Sequence, residues 1–212
     1  MKGARIVEMD VRRSADGVWI VFHDPALKRT TGRRGRLERV SWDPLSCLDA
    51  GSWFSSRFEG ERIPRIEQVL DFCRRKGVKA FLDVKVIERE RELVQALRAS
   101  GGLNRVWIGA GTLHSLRRWR RLLGGRPLFW VTGFRAPVTA GRVHQARRLK
   151  LAGIVAYKRW ATRAAVKRTH QAGLKLFVWT ARRPKEIKRL ALLGVDGIMS
   201  EVWPAPPLSD SR

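Results

Sequence analysis

Two carboxylates, Glu8 and Asp10, lie two positions apart in a run of strand-forming residues at positions 5–11. Side chains at this spacing point to the same face of a strand. Two carboxylates held together on one face repel each other unless a cation or hydrogen-bond donors join them. A hard divalent cation with oxygen ligands is the natural solution, and an exposed acidic strand edge is the alternative. The pair therefore predicts a divalent cation site.

Asp83 and Lys85 repeat this spacing on a second predicted strand, residues 80–86. A third carboxylate facing the same interior would complete a metal site, and the lysine beside it could hold a phosphate. The alternative is a lysine–aspartate pair at a strand end, which is a common pattern.

His23 directly follows a predicted strand at residues 19–22. Barrels place their catalytic groups at strand ends, and a histidine near a metal-bound phosphodiester can move protons at neutral pH. A lone histidine is more often structural, so both interpretations remain open.

The elements that must position these residues are short β-rich runs alternating with amphipathic helical stretches. The first two strands are joined across Asp16 and Gly17, a hairpin-turn signal. Counting that hairpin as one position gives seven strand positions, whereas a closed (β/α)8 barrel needs eight. The periodicity fits an incomplete barrel or a doubly wound sheet. The predicted strands are 5–11, 19–22, 80–86, 106–109, 128–131, 153–156, 175–180 and 197–199, and the predicted helices are 66–76, 90–99, 113–123, 138–150, 161–172 and 184–193.

The composition is that of a folded protein, with 212 residues, 44% hydrophobic residues and nine tryptophans. No apolar run reaches the roughly 18–20 residues that span a bilayer, and no signal-peptide stretch precedes the first strand. Cys47 and Cys73 have no CxxC spacing, so we expect reduced, packed thiols and a cytoplasmic protein.

The net charge of +25 is concentrated in the second half of the chain. Residues 1–100 contain 21 Lys and Arg against 15 Asp and Glu, whereas residues 101–212 contain 23 against 4. This distribution indicates a binding face for polyanions, which are nucleic acid, anionic lipid headgroups or a phosphorylated substrate, and weak nonspecific binding to polyanions is expected with or without such a face. The alternative is arginine over-used on solvent-facing helices, because the basic runs 117–121, 147–148 and 182–183 fall in helical segments or at their edges.

Several segments together resemble the glycerophosphodiester phosphodiesterase family. They are GARIVEMDV at 3–11, VFHDP at 21–25, LKRTTG at 27–32, LDAGSWF at 48–54, IPRIEQVL at 63–70, VWT at 178–180 and GVDGIMS at 194–200. The resemblance runs over nearly the whole chain and is strongest in residues 3–86 and 174–204.

The resemblance implies a (β/α)8 TIM barrel over residues 1–204, with a family insertion at about 24–63 and a tail at 205–212. It implies hydrolysis of glycerophosphodiesters to an alcohol and glycerol phosphate with a divalent cation (Mg or Ca) and two histidines. The roles it implies are metal ligation by Glu8, Asp10 and Asp83, acid–base catalysis by His23, phosphate contact by Lys85, and a pocket wall formed by Trp179.

The chain departs from the family pattern at several positions. The His-Arg-Gly strand and the Pro-Glu-Asn helix start that open the family are not in this sequence, so the partner of His23 is missing. Asp83 stands where glutamate is usual, Arg182 replaces asparagine, and Ser200-Glu201 replaces Thr-Asp. We regard His114, His144 and His170, which lie at the start of or inside predicted helices, as poor substitutes.

We therefore expect a barrel that lacks its first βα unit, binds metal, and hydrolyses its substrate weakly or not at all. Two alternatives stay open. A non-catalytic degenerate barrel could bind anionic lipid or nucleic acid through its basic C-terminal half. A related phospholipase acting on choline lipids is the other, although the 51–54 segment favours the glycerophosphodiester group. The oligomeric state is not predicted.

Overall fold

A computed structural model describes residues 4–201 of the chain. Contacts between Cα atoms divide the chain into two compact units. We call Ile6–Val106 the N-terminal unit, and Trp107–Arg212 together with Met1–Arg5 the C-terminal unit. Within the described residues, no helix is both long and apolar enough to cross a membrane.

Three strands form the sheet of the N-terminal unit, and β1 (Ile6–Arg13) lies between the other two. It pairs antiparallel with β2 (Trp19–Val21) and parallel with β3 (Lys79–Val84). The predicted hairpin is confirmed: Gly17 turns the chain with a φ of 97°, a conformation that a glycine adopts without strain.

The helices of this unit include the two that the sequence predicts. On α3 the residues Ile66, Leu70 and Cys73 recur at helical spacing and are buried, and the helix gives way to a left-handed Gly77. The helices are α1 (Lys28–Thr31), α2 (Trp42–Ser46), α3 (Ile66–Arg75) and α4 (Glu90–Ala99), with 3-10 turns at Leu37–Arg39, Ser56–Phe58 and Leu103–Arg105.

Residues 24–63, which we call the insertion, are more structured than the sequence indicates. They contain α1, α2 and two of the 3-10 turns, and the Asp16 carboxylate accepts a hydrogen bond from the Trp42 amide at the start of α2. A buried apolar cluster joins the insertion to β2; its members are Ile20, Phe22, Leu27, Leu37, Leu45 and Ile63.

The C-terminal unit is a regular series of parallel strands and helices. Its sheet has the order β4-β5-β6-β7-β8, with every pair parallel. The strands are β4 (Val106–Ala110), β5 (Leu128–Val131), β6 (Gly153–Tyr157), β7 (Lys175–Ala181) and β8 (Gly197–Ser200). The helices are α5 (Leu113–Leu123), α6 (Ala140–Arg148), α7 (Arg163–Gln171) and α8 (Pro184–Leu192), with a 3-10 turn at Lys158–Trp160.

Local capping explains why these helices start where they do. Thr112, Thr139 and Thr162 each precede a helix, and each hydroxyl accepts a hydrogen bond from a backbone amide in the first turn, as N-cap residues do. Pro184 occupies the first turn of α8, where a missing N–H costs nothing.

The predicted secondary structure is confirmed in the described residues, with boundaries shifted by up to two residues. One expectation about the cysteines is wrong. Cys73 is buried on α3, but Cys47 is exposed because it lies at the end of the short surface helix α2. Both thiols are free. The predicted tail at 205–212 lies outside the described residues.

Candidate metal and catalytic site

Strand β1 places its polar side chains on one face. Met9 and Val11 are buried on the opposite face, whereas Glu8 and Asp10 reach solvent to a greater extent. The alternation follows from the two-residue period of a strand and confirms that the two carboxylates share a face.

The parallel register brings a third carboxylate to this pair. Asp10 on β1 lies directly opposite Asp83 on β3, and Met9 lies opposite Leu82. Glu8, Asp10 and Asp83 each offer one ligand oxygen, and these three oxygens lie within 4.8 Å of one another. We call these three residues the carboxylate triad.

Lys85 lies against two members of the triad. Its Nζ is 2.9 Å from Oδ1 of Asp10 and 2.5 Å from Oδ2 of Asp83. Three carboxylates facing one ammonium leave an excess of two negative charges when all are ionised, which is the charge of one divalent cation.

Burial first, and then the neighbouring charges, shift the pKa values of the triad and of Lys85. Loss of water around the Glu8 carboxyl, followed by the charges of Asp10 and Asp83, raises the pKa of Glu8 to about 8, although part of Glu8 remains open to solvent. Burial raises the pKa of Asp83, and Lys85 opposes that shift. Burial acts to lower the pKa of Lys85, but the charges of Asp83 and Asp10 raise it overall.

These residues fit a hard divalent cation. The donors are carboxylate oxygens, which Mg²⁺ and Ca²⁺ prefer, and their spacing allows one ion to contact all three. A bound cation would offset both causes of the raised pKa of Glu8, the burial of its carboxyl and the repulsion from Asp10 and Asp83. Sequence reasoning found all three carboxylates.

His23 comes two residues after the end of β2, beside β1. The Phe22 amide donates to the Asp10 carbonyl (3.0 Å), and Nε of Arg12 donates to the His23 carbonyl (2.8 Å). The imidazole is 67% exposed, and its Nδ1 lies 2.6 Å from Oδ1 of Asp24. A positive charge on His23 would lower the pKa of Asp83, which places the imidazole within electrostatic range of the triad.

Asp24 and Arg29 hold the imidazole, and sequence reasoning assigned them no role. Nε of Arg29 lies 2.5 Å from Oδ2 of Asp24, and the Arg29 guanidinium lies over the Trp53 ring, 4.6 Å from its centre. The hydrogen bond from Arg29, together with that from His23, lowers the pKa of Asp24 to about 2. The adjacency of His23 and Asp24 was the signal that could have identified this pair.

Trp179 lies in the C-terminal unit. It is half-buried on β7, and its ring packs edge-on against Tyr157 with 5.2 Å between centroids. Its role as a pocket wall stays a prediction.

Two of the departures from the family pattern compensate each other, because Arg182 forms an ion pair with Glu201 (3.0 Å).

The remaining three histidines lie where the sequence places them. His114 is in the first turn of α5, His144 is on α6 and His170 is on α7. His170 contacts Oδ2 of Asp196 (2.8 Å), and the same oxygen accepts the Leu176 amide (2.8 Å). His170 therefore has a structural contact of its own.

Comparison with known proteins gives consistent matches. Residues 1–202 match the sequence model of the Glycerophosphoryl diester phosphodiesterase family. A glycerophosphodiester phosphodiesterase from Caldanaerobacter subterraneus is 28% identical over 206 residues, which cover 94% of this chain and 83% of the relative.

Solved structures are similar over the same length. A phosphodiesterase from Oleispira antarctica, in complex with the product sn-glycerol-3-phosphate, has a TM-score of 0.83 at 23% identity and covers 93% of this chain and 81% of that one. A glycerophosphodiester phosphodiesterase from Agrobacterium tumefaciens has a TM-score of 0.78 at 22% identity, with coverages of 93% and 84%. These similarities confirm the predicted fold class, an incomplete (β/α)8 barrel. The chain belongs to the glycerophosphoryl diester phosphodiesterase family.

Proposed function

We propose that this chain hydrolyses glycerophosphodiesters to an alcohol and glycerol phosphate, with a divalent cation held by Glu8, Asp10 and Asp83. The observation that carries the proposal is the closeness of the three carboxylate oxygens, all within 4.8 Å, beside a lysine and a histidine. Family membership supports the same reaction and a dependence on a divalent cation.

Lys85 binds the phosphate in this proposal. Its ammonium group has three N–H donors, and Asp10 and Asp83 accept two of them. The third can donate to a phosphoryl oxygen. When bound, the divalent cation supplies Lewis-acid polarisation of the phosphoryl group.

His23 moves the protons. With its Nδ1–H donating to the Asp24 carboxylate, the lone pair on Nε2 is available to accept a proton. Nε2 takes a proton from the attacking water and returns it to the departing alcohol oxygen. One P–O bond forms and one breaks, and the histidine ends in its starting state.

Turnover is expected to be slow. His23 is the one histidine of the N-terminal unit, so a single imidazole must serve as both base and acid. The family resemblance implies two histidines for these tasks.

The proposal is tested with chain stripped by EDTA, then supplied with Mg²⁺ or Ca²⁺ and glycerophosphocholine. Phosphorus NMR follows the conversion of diester to glycerol phosphate. We expect slow, EDTA-sensitive hydrolysis that Asp83→Asn and His23→Ala abolish. Asp71→Asn is the matched control, because Asp71 lies on α3 and pairs with Arg74 (2.6 Å) outside the triad.

Three results would count against parts of this proposal. Hydrolysis that persists unchanged in Asp83→Asn would exclude the triad as the cation site. Turnover at ordinary enzyme rates would show that the expected slow turnover is wrong. Cation binding without any hydrolysis would show that the chain binds the cation but is not an enzyme for this substrate. Separate arms with glycerophosphoethanolamine and glycerophosphoinositol identify the alcohol that is preferred.

A further inference from the structure

Three aromatic side chains of the insertion are exposed together. Trp53 is 49% exposed, Phe54 71% and Phe58 39%. Phe54 packs against both others, with 5.8 Å between ring centroids in each pair. We call these three residues the aromatic loop. A contiguous exposed apolar group of this kind on a folded protein usually marks an interaction surface.

Hydrogen bonds fix the aromatic loop in its exposed position. The Asp49 carboxylate accepts the amides of Gly51 (2.8 Å), Ser52 (2.9 Å) and Gly60 (2.9 Å). The Trp53 indole N–H donates to the Ala50 carbonyl (2.9 Å). The rings are therefore held out by a defined turn.

A basic segment lies beside the aromatic loop. Residues 25–37, which we call the basic turn, contain five cationic residues and no aspartate or glutamate; the cations are Lys28, Arg29, Arg33, Arg34 and Arg36. The contact of Arg29 with the Trp53 ring joins the turn to the loop. Arg33 and Arg34 are exposed, and neither side chain forms an ion pair within residues 4–201.

We propose that the aromatic loop and the basic turn dock this protein on a bilayer surface that contains anionic phospholipids. Aromatic side chains partition into the interface between lipid and water, where their apolar ring surface is removed from water. Arginines beside them attract acidic headgroups. The surface offers both kinds of group side by side, which is the complement of an anionic lipid–water boundary.

A single-stranded nucleic acid fits this surface less well. Stacking of bases requires open aromatic faces. The guanidinium of Arg29 lies over the Trp53 ring, and Phe54 packs against Phe58 at an interplanar angle of 51°. The aromatic loop therefore exposes apolar ring surface but lacks the open, parallel ring faces on which bases stack.

Docking at this surface would bring the candidate site to the membrane. Arg29 touches the Trp53 ring and also bonds to Asp24, which contacts His23. The docking surface is therefore linked to His23 through Arg29 and Asp24. Docking does not depend on the proposed hydrolysis, and each can be tested without the other.

The test is co-sedimentation of the full chain with phosphatidylcholine vesicles, with and without phosphatidylglycerol. Phe54→Ser removes the most exposed ring, and the double variant Arg33→Ser/Arg34→Ser removes two unpaired charges. Leu192→Ser is the apolar control, because Leu192 on α8 is also 71% exposed. Arg117→Ser/Arg121→Ser, on the exposed face of α5, is the charge control.

We expect binding to the anionic vesicles that each insertion variant weakens by about tenfold. The two controls should bind as the wild type does. Glycerophosphocholine hydrolysis, where present, should be unchanged in all four variants, since none of these residues lies in the proposed catalytic machinery.

Several results would overturn the proposal. Equal losses in the insertion variants and the charge controls would assign binding to total charge. Absence of vesicle binding, or tighter binding to single-stranded DNA that the same variants abolish, would also exclude it. A dimer in the wild type that Phe54→Ser dissociates would assign the aromatic loop to a second copy of the chain.

Discussion

The carboxylate triad of the N-terminal unit differs from the acidic residues of the C-terminal unit. In the C-terminal unit each carboxylate up to residue 201 has a partner: Glu186, for example, accepts from Lys158 (2.7 Å), and its pKa is lowered to about 2. In the N-terminal unit Glu8 faces Asp10 and Asp83, and its pKa is raised to about 8. A carboxylate that stabilises its own fold has a low pKa, whereas one kept in an unfavourable cluster is available for a ligand.

The largest expected effect concerns the histidines of the two units. His23→Ala should lower the turnover of bis(p-nitrophenyl) phosphate, a diester with a good leaving group, by about 100-fold, the range for losing a general acid–base. His170→Ala should leave the rate intact while lowering the melting temperature, because His170 on α7 contacts Asp196 in the connection between α8 and β8. Equal rate losses in both variants would show that His23 has no catalytic role that His170 lacks.

A smaller loss of turnover is expected when Arg29, which bonds to the Asp24 partner of His23, is removed. Arg29→Ala should lower turnover by about tenfold, because misorientation of a catalytic group weakens but does not abolish its action. Arg29→Lys should keep part of the rate, and Arg182→Ala, which breaks the Arg182–Glu201 pair, should keep all of it.

Nitrogen-15 NMR of the imidazole separates positioning by Arg29 from general damage. In the wild type, neutral His23 should carry its proton on Nδ1, facing Asp24. Arg29→Ala should shift that tautomer balance toward Nε2–H. An unchanged tautomer balance would show that Arg29 does not act through Asp24.

Opposite stability changes should follow from neutralising the two glutamates in EDTA. The folded pKa of Glu8 lies above its ordinary 4.5, so its ionisation costs stability increasingly as pH rises from 4.5 to about 8. Glu8→Gln should therefore raise the melting temperature at alkaline pH and have little effect near pH 4.

Glu186 has the opposite sign. Its folded pKa of about 2 lies below 4.5, so its contribution is present above 4.5 and is lost as pH falls toward 2. Glu186→Gln should lower the melting temperature at neutral pH. Thermal melts of both variants across this pH range would reveal shifts of the same sign if the two carboxylates were alike.

The smallest effect concerns the insertion in acid. Hydrogen bonds from Ser52 and from three backbone amides hold the pKa of Asp49 well below its usual range. Because the unfolded chain takes up this proton first, the stabilisation is complete above about pH 4 and declines below it. The protection of the Gly51 and Gly60 amides from hydrogen exchange, measured relative to the intrinsic rate at each pH, should fall in acid, and in Asp49→Asn at every pH.

Asp43→Asn is the control within the insertion, since the side chain of Asp43 is exposed on α2 and takes no part in the Asp49 turn. Equally fast exchange in Asp49→Asn and Asp43→Asn would show that the Asp49 carboxylate does not protect these amides.

Much of the fold follows from the sequence because each element carries its own signal. The threonine caps and the periodic apolar residues of the C-terminal unit specify its helices without reference to distant residues. The insertion is different. The capping of α2 by Asp16 joins residues 26 positions apart, and no local pattern reveals such a contact.

The candidate site divides in the same way. The spacing of Glu8 and Asp10 is enough to place them on one face, but the position of Asp83 opposite Asp10 depends on strand register. Local spacing made Asp83 a candidate third carboxylate, and the family resemblance supported that assignment before the register was known. The Trp53–Arg29–Asp24 contacts escaped prediction because they depend on how the turns of the insertion fold back on each other.

In the proposed mechanism the carboxylate triad holds one divalent cation. Titration of EDTA-stripped chain with Mn²⁺, followed by electron paramagnetic resonance, tests it without any need for turnover. We expect one ion per chain and an affinity that Asp83→Asn lowers by about 100-fold or more, while Glu186→Gln leaves it unchanged. Equal Mn²⁺ affinity in the wild type and Asp83→Asn would contradict it.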